Sequence, residues 1–327
     1  MSLRAFLVKR LLYTILLIFF IIVLNFIIFQ AMPGLQGNFY ILFSRARLQP
    51  AQYDQLVQQY GLNENVYVRF GDYVRNLLTF NFGYSYSSGQ SIGSEVITSG
   101  RLTNTLLLLG TSSIISLIIG VLLGIVLAPR RGSSLDNFWV TASLVTYSLP
   151  TFFMGLILIL VFAANLRWFP SGGSFTSTPG LGLETIISGY LYTLFLPALT
   201  LTLFTYGSFL LLTRATMTEA LGEDYILTAR AKGLSRRVIL MRHAFKNASL
   251  PIITAGALQF GFILSGAIIT ETVFNYQGLG GWLFTAIQAK DWPVLEAMFY
   301  LIALMVVAAN LVSDILYGVV DPRIKYE

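Results

Sequence analysis

The amino-acid sequence predicts an all-α, polytopic membrane protein with six transmembrane helices and a small helical subdomain between the first two. Composition gives the first reason: 55% of the 327 residues are hydrophobic and only 11% are charged, where soluble domains carry about 25% charged residues. The second is a set of uncharged runs, each able to cross a hydrocarbon core that needs about 20 apolar residues in a helix. They are Leu11 to Ser44, Leu102 to Pro129, Asn137 to Leu166, Thr185 to Thr213, Asn247 to Thr270, and Ala297 to Ser313. The third is the long polar stretch, residues 33–101, that separates the first two runs.

The first run follows Arg4, Lys9 and Arg10. Its apolar core is too long for a signal peptide, and "FQAMPGLQGN" is a poor cleavage site, so residues 1–32 are expected to be a retained N-terminal transmembrane helix. The polar stretch contains helical-period residues such as Tyr53, Leu56, Val57 and Tyr60, which predict a small helical subdomain over 33–101 in place of a linker.

A five-helix core is expected over 102–320. Its first helix carries Ser112, Ser116, Gly120, Gly124 and Ala128 at a spacing of four, one small-residue face; Ala257, Gly261 and Ser265 repeat the device later. Such faces let helices approach closely in a membrane, either within one chain or against another subunit. Pro150 and Pro197 fall inside the third and fourth runs, where each removes a backbone donor and can kink its helix.

Orientation follows from the basic residues. With a cytoplasmic N-terminus, the inner segments hold Arg4, Lys9 and Arg10, then Arg130 and Arg131, then seven from Arg214 to Lys246, then Arg323 and Lys325, which is 14 of the 21 Lys and Arg. Both termini are therefore expected inside, with residues 33–101 external, a cytoplasmic loop over 214–249 and a cytoplasmic tail over 321–327. The net charge of +6 is concentrated at these borders, without a basic stripe interleaved with stacking aromatics, so no nucleic-acid partner is expected. There is no Cys, which excludes disulfides and thiolate metal sites.

Catalytic patterns do not emerge. No G-x-x-x-x-G-K-[ST] phosphate loop occurs, and "QGLGGW" lacks the Lys and the preceding strand. His243 is the sole His and has no zinc-ligand spacing around it; it reads as a surface residue beside a helix. Asp314 stands alone at the inner end of the sixth run and Glu271 at the outer end of the fifth, which suits neither a carboxylate pair nor a proton relay. An enzyme reading therefore finds no constellation to rest on.

The polar segment "DYILTARAKGLSRRVILMRHAFKN" is the most informative part. Asp224 is the expected N-cap of a short helix, Arg230 and Lys232 fall in its last turn, and Gly233 stands where a left-handed residue is wanted. Tyr225, Thr228, Ala229 and Lys232 share a face by spacing, and Ser235 is placed to cap a second helix whose Val238, Ile239 and Phe245 rest on the bundle, with Arg236, Arg237 and Arg242 at lipid headgroups. From the residues alone, a lipid-binding surface helix and a protein-docking element are both open.

"DYILTARAKGLSRRVILMRHAFKNASLPIIT" resembles the cytoplasmic EAA-type loop of binding-protein-dependent ABC importer permeases, in its peptide-permease form. The resemblance continues through "ETVFNYQGLGGWLFTAIQAKDWPV" to "DILYGVVDPRIK", and "KRLLYTILLIFF" followed by "MPG" is similar to the start of the first permease subunit of dipeptide and oligopeptide importers. It implies the type I ABC importer permease fold and import of di- or oligopeptides by alternating access. The implied partners are a homologous second permease subunit, two cytoplasmic ATP-binding subunits and an extracytoplasmic substrate-binding protein, in a bacterial or archaeal plasma membrane. No cofactor is implied in this chain; ATP and Mg belong to the ATPase subunits.

The docking helix then maps to Asp224–Gly233, with Asp224, Tyr225, Thr228, Ala229, Lys232 and Gly233 as contact candidates. The outer loop and residues 271–295 are expected to meet the binding protein, and Gln259 and Ser265 are candidates for the substrate pathway. Thr228-Ala229-Arg230 stands where other branches have Glu-Ala-Ala, so their Glu contact does not transfer. Gln277 replaces a common Pro before Gly-Leu-Gly, and "MPGLQG" lacks the frequent Asp-Pro after Pro-Gly. Nickel complexes or oligosaccharides are the alternative substrates of such permeases, and a self-contained channel or secondary carrier is the alternative from another class.

Overall fold

A computed structural model gives the fold, in which residues 3–31, 64–176 and 180–320 are described. Tyr53, Leu56, Val57 and Tyr60, the first half of the expected external subdomain, and the tail over 321–327 lie outside those residues. The described residues form helices and turns, with one isolated bridge, Tyr84 to Ser91. Among the described residues four helices are long and apolar enough to cross a membrane, or five if a bent pair is counted as one span. The chain is thus an all-helical, multi-pass membrane protein that divides into two compact units, residues 1–10, 100–282 and 308–327, and residues 11–99 and 283–307.

From Leu11 onward α1 (Leu3–Phe26) belongs to the smaller unit and continues as a π-helical turn, Ile27–Ala31. Leu11, Leu12, Leu16, Phe19 and Phe20 face outward, as expected of a helix whose solvent is lipid. The amphipathic α2 (Val66–Leu78) starts at Asn65, whose side chain accepts from the Tyr67 N–H, and ends with Arg75 in its last turn. Tyr73 and Leu77 of α2 pack with Ile22, Phe26 and Tyr300. A short α3 (Ile92–Thr98) follows a tight turn.

In the larger unit α4 (Arg101–Leu127) packs along α7 (Leu183–Leu221), which also contacts α5 (Ser134–Ser148) and α10 (Lys246–Val273). Small residues explain the α4–α7 approach. A Cβ on Gly120 would stand 2.5 Å from the Phe209 Cβ, and one on Gly124 2.5 Å from the Thr213 Cβ, while Ser112 and Ser116 are fully buried. The small-residue face of α4 therefore serves packing within the chain; the side chains of Ala257, Gly261 and Ser265 lie outside the described set.

Pro150 breaks the third run. Leu149 before it is extended, as the proline ring demands, and α6 (Thr151–Leu158) leaves α5 at 105°. Pro197 is instead carried inside an uninterrupted α7. That helix has 39 residues, so at 1.5 Å per residue it is about 58 Å long and must extend beyond a hydrocarbon core of about 30 Å.

Candidate functional site

The C-terminal end of α7 carries the polar segment. Gly222 and Glu223 turn the chain into α8 (Asp224–Ala231), whose N-cap position is taken by Glu223 with no side-chain cap bond. This corrects the expected cap, Asp224, by one residue: Asp224 is the first helical residue and complements the positive helix end from there. The other end agrees with expectation. Gly233 adopts φ +72°, its N–H donates to the Arg230 carbonyl, and the Leu234 N–H donates to the Ala229 carbonyl, the paired bonds of a Schellman turn.

The shared face read from spacing is divided by the fold. Ile226 is 0% and Ala229 4% exposed, and both enter a core with Ile125, Ala128, Met217, Ala220 and Ala244. Tyr225 is half-buried against the same core, whereas Asp224, Thr228, Lys232 and Gly233 are exposed. Ala229 thus keys α8 onto the C-terminal ends of α4 and α7 and the leading turn of α10. Leu227, which spacing alone did not single out, is 60% exposed on the outward side. Sequence offers Ile226 and Leu227 as equals; only packing chooses between them.

Beyond the turn, Ser235 occupies the N-cap position of α9 (Arg236–Val238) without a side-chain cap bond, and the chain passes through a π-helical stretch, Ile239–Phe245, into α10. Ile239 is buried and Phe245 packs on the α8 core, while Arg236, Arg237 and Arg242 are exposed. His243 is half-buried in the π-helical stretch, and no group of metal-binding side chains occurs among the described residues. The remaining tie at this end is an ion pair. Arg214 Nε lies 2.6 Å from Asp136 Oδ1 and its Nη2 2.7 Å from Oδ2, and the Gly132 N–H donates to the same carboxylate, so the α4–α5 turn is bound to α7. Asp314 has a cationic partner, Arg10 at 3.1 Å.

At the opposite end of α10 the Gly-rich motif acquires a purpose. Glu271 is fully buried; its Oε1 accepts from the Thr105 hydroxyl at 2.7 Å and its Oε2 from the Gly281 N–H at 2.8 Å. Thr105 in turn accepts from the Leu279 N–H, and Asn104 donates to the Gln277 carbonyl. A Cβ on Gly278 would occupy the position of the Glu271 carboxylate, and one on Gly280 would lie 2.7 Å from the Ile268 Cα. "QGLGG" therefore wraps a buried carboxylate at the start of α11 (Leu279–Ala289). A Glu ending an apolar run seven residues before Gly278 was the available sequence signal.

In the smaller unit the buried Asp291, just before α12 (Trp292–Val320), accepts from Ser85 Oγ at 2.6 Å, from the Tyr86 and Ser87 N–H groups at 3.1 Å, and from the Ser87 hydroxyl. Burial pushes its carboxyl upward, but these hydrogen bonds outweigh that and hold it below the usual aspartate range. Of the two pathway candidates on α10, Gln259 is half-buried, and the Ser265 side chain lies outside the described set.

The described residues thus form a multi-pass helical bundle with a short polar helix keyed onto the ends of its long helices. The family model described as "Binding-protein-dependent transport system inner membrane component" matches residues 120–326, and the chain belongs to that family. It is 36% identical over 98% of its length to the oligopeptide transport system permease protein AppB of Bacillus subtilis, covering 99% of that protein. It is 34% identical to the di/tripeptide transport system permease protein DppB of Pseudomonas aeruginosa, over 99% of both chains. Against the glutathione transport system permease protein GsiC of Escherichia coli it is 34% identical, over 98% of this chain and 99% of that one.

Proposed function

We propose that this chain is the permease subunit of an ATP-driven importer of di- and oligopeptides, working by alternating access. The names of AppB and DppB give peptide cargo and that of GsiC gives glutathione, which is why peptides are preferred over nickel complexes and oligosaccharides. The subunit pairs with a homologous permease, with two cytoplasmic ATPases that hold ATP and Mg, and with an extracytoplasmic binding protein. ATP hydrolysis occurs in those partners and not in this chain. The bundle has six spans, α10 being counted with the five above, both termini lie in the cytoplasm, and residues 33–101 form an external subdomain.

The observation that carries the reading is the division of α8. Its inward side, Ile226 and Ala229, is locked into the ends of three spans, and its outward side presents Asp224, Leu227, Thr228 and Lys232. A helix attached this firmly passes a push from an ATPase to α4, α7 and α10 with little loss, because packed cores resist deformation. ATP drives access only through its differential free energy for the two states, so such a rigid link is what the mechanism requires.

Co-purification from native membranes with mass spectrometry tests it, comparing wild type with Thr228→Arg and with Arg237→Gln, which lies on α9 outside α8. The wild type and Arg237→Gln bring down two ATPases and a second permease; Thr228→Arg keeps the permease, loses the ATPases and loses uptake of a labelled dipeptide. A chain that comes down alone, unaffected by Thr228→Arg, removes the importer reading in favour of a channel or carrier.

A further inference from the structure

Beside α8 a groove of about 500 Å³ opens between the C-terminal ends of α4 and α7 and the chain leading into α10. Leu221, Leu234, Ile239 and Leu240 make it apolar, and Arg230 and Arg236 bring two guanidinium groups to it. Both arginines are exposed, and among the described residues neither has an acidic partner, in contrast to Arg214, which is paired with Asp136. The acidic residues nearest in the chain, Glu219, Glu223 and Asp224, are exposed and do not line the groove.

We propose that this groove binds one anionic phospholipid, with its phosphate between Arg230 and Arg236 and the upper part of an acyl chain along Leu221, Leu234, Ile239 and Leu240. The volume lies in the range of small-molecule sites, about 300–1,000 Å³. Guanidinium groups are well suited to phosphate because they are planar, always charged and weakly hydrated. Two positive charges without acidic partners beside an apolar surface, at the ends of two candidate spans, match a molecule that is anionic at one end and apolar at the other. A soluble anion satisfies only the arginines, and an apolar segment only the leucines. The lipid then occupies the space next to the Schellman turn at Gly233, so its presence stiffens the attachment of α8 to the spans. The inference needs only that the chain lies in a bilayer and does not depend on what is transported.

The test is native mass spectrometry of the full-length chain purified in mild detergent and incubated with dioleoyl phosphatidylglycerol or dioleoyl phosphatidylcholine. The wild type retains one phosphatidylglycerol per chain in preference to phosphatidylcholine. From the usual contribution of a basic residue near an anionic lipid, Arg230→Gln or Arg236→Gln lowers retention roughly fivefold and the double variant roughly 25-fold. Arg237→Gln, outside the groove, leaves it unchanged, and the double Arg→Lys variant restores most of it, which separates lost charge from lost fold. Equal retention of the two lipids, or of phosphatidylglycerol by wild type and double Gln variant, overturns the proposal. So does full displacement by glycerol phosphate, which makes the site one for a free anion. Loss of the lipid whenever an ATPase subunit co-purifies also overturns it, because the groove then belongs to that protein. Failure of dipeptide uptake with lipid retention intact counts against the proposed function alone.

Discussion

Arg214 grips Asp136 with two arms of its guanidinium, at 2.6 and 2.7 Å, and the carboxylate it holds is 1% exposed. One residue lies toward the C-terminal end of α7 and the other in the first turn of α5, so the pair fixes the helix that leads into α8. Asp136→Ala leaves a guanidinium without its partner and is expected to cost about 3 kcal/mol, the low end for a broken buried pair because Arg214 retains some water. Removing both side chains costs less than the sum of the single changes, and thermal unfolding of the four proteins in detergent measures that coupling.

Two glycines of α4 separate close packing from open space. Gly120→Ala drives a methyl to 2.5 Å from the Phe209 Cβ and 2.6 Å from the Tyr206 carbonyl oxygen, whereas Gly110 has no heavy atom within 4 Å of its missing Cβ. The first substitution is expected to lower stability by about 1–3 kcal/mol through overpacking. Gly110→Ala is expected to raise it by up to about 1 kcal/mol, from helix propensity. Melting temperatures that move together in both variants contradict the assignment of this face to α7.

At the opposite end of α10, Gly278→Ala pushes the Glu271 carboxylate off Thr105 and the Gly281 N–H. Stability is expected to fall by about 1–3 kcal/mol, since a buried group loses its donors. Shortening the acid relieves the clash, so Gly278→Ala combined with Glu271→Asp should be more stable than Gly278→Ala alone. A double variant that is worse than either single change shows that the glycine is needed for another reason.

Asp291 gives the pH dependence. Its folded-state pKa is lowered, so its contribution is complete above the ordinary aspartate value of about 4 and is lost as pH falls through the lowered value. Protection of the Tyr86 and Ser87 amides against hydrogen exchange, corrected for intrinsic rates, should therefore be constant from neutrality down to about pH 5 and collapse only in stronger acid. Asp291→Asn should loosen the same amides at every pH.

Gly233→Ala places a side chain at φ +72°. The expected loss is about 1–2 kcal/mol, smaller for Gly233→Asn, and circular dichroism melts with co-purified ATPase as a second readout distinguish a weakened turn from a blocked surface. If Gly233→Ala is as stable as wild type but has lost the ATPase, Gly233 is itself a contact.

How much of this was legible in the chain varies with the range of the interaction involved. The helix from Asp224 and its stop at Gly233 follow from propensity and turn chemistry within ten residues, and the observed helix differs only in its cap, Glu223 for Asp224. The break at Pro150 and the retained helix at Pro197 look alike in sequence, because both prolines remove a donor. They differ in their surroundings: Pro197 is buried inside α7, while Pro150 is exposed at the start of α6.

The solvent of the protein, the all-helical class, the position of its polar segment and, through ordered motifs, its family can all be read along the chain. Those depend on composition, hydrophobic run length and local backbone preference, which a linear chain displays directly. Only the tertiary structure decided that Ala229 faces inward and Leu227 outward, that the small residues of α4 meet α7, that Asp314 finds Arg10, and that "QGLGG" encloses Glu271. Each of these joins residues distant in the chain or chooses between neighbours of equal hydrophobicity. Such choices are made by the packing of whole helices, which no local window contains.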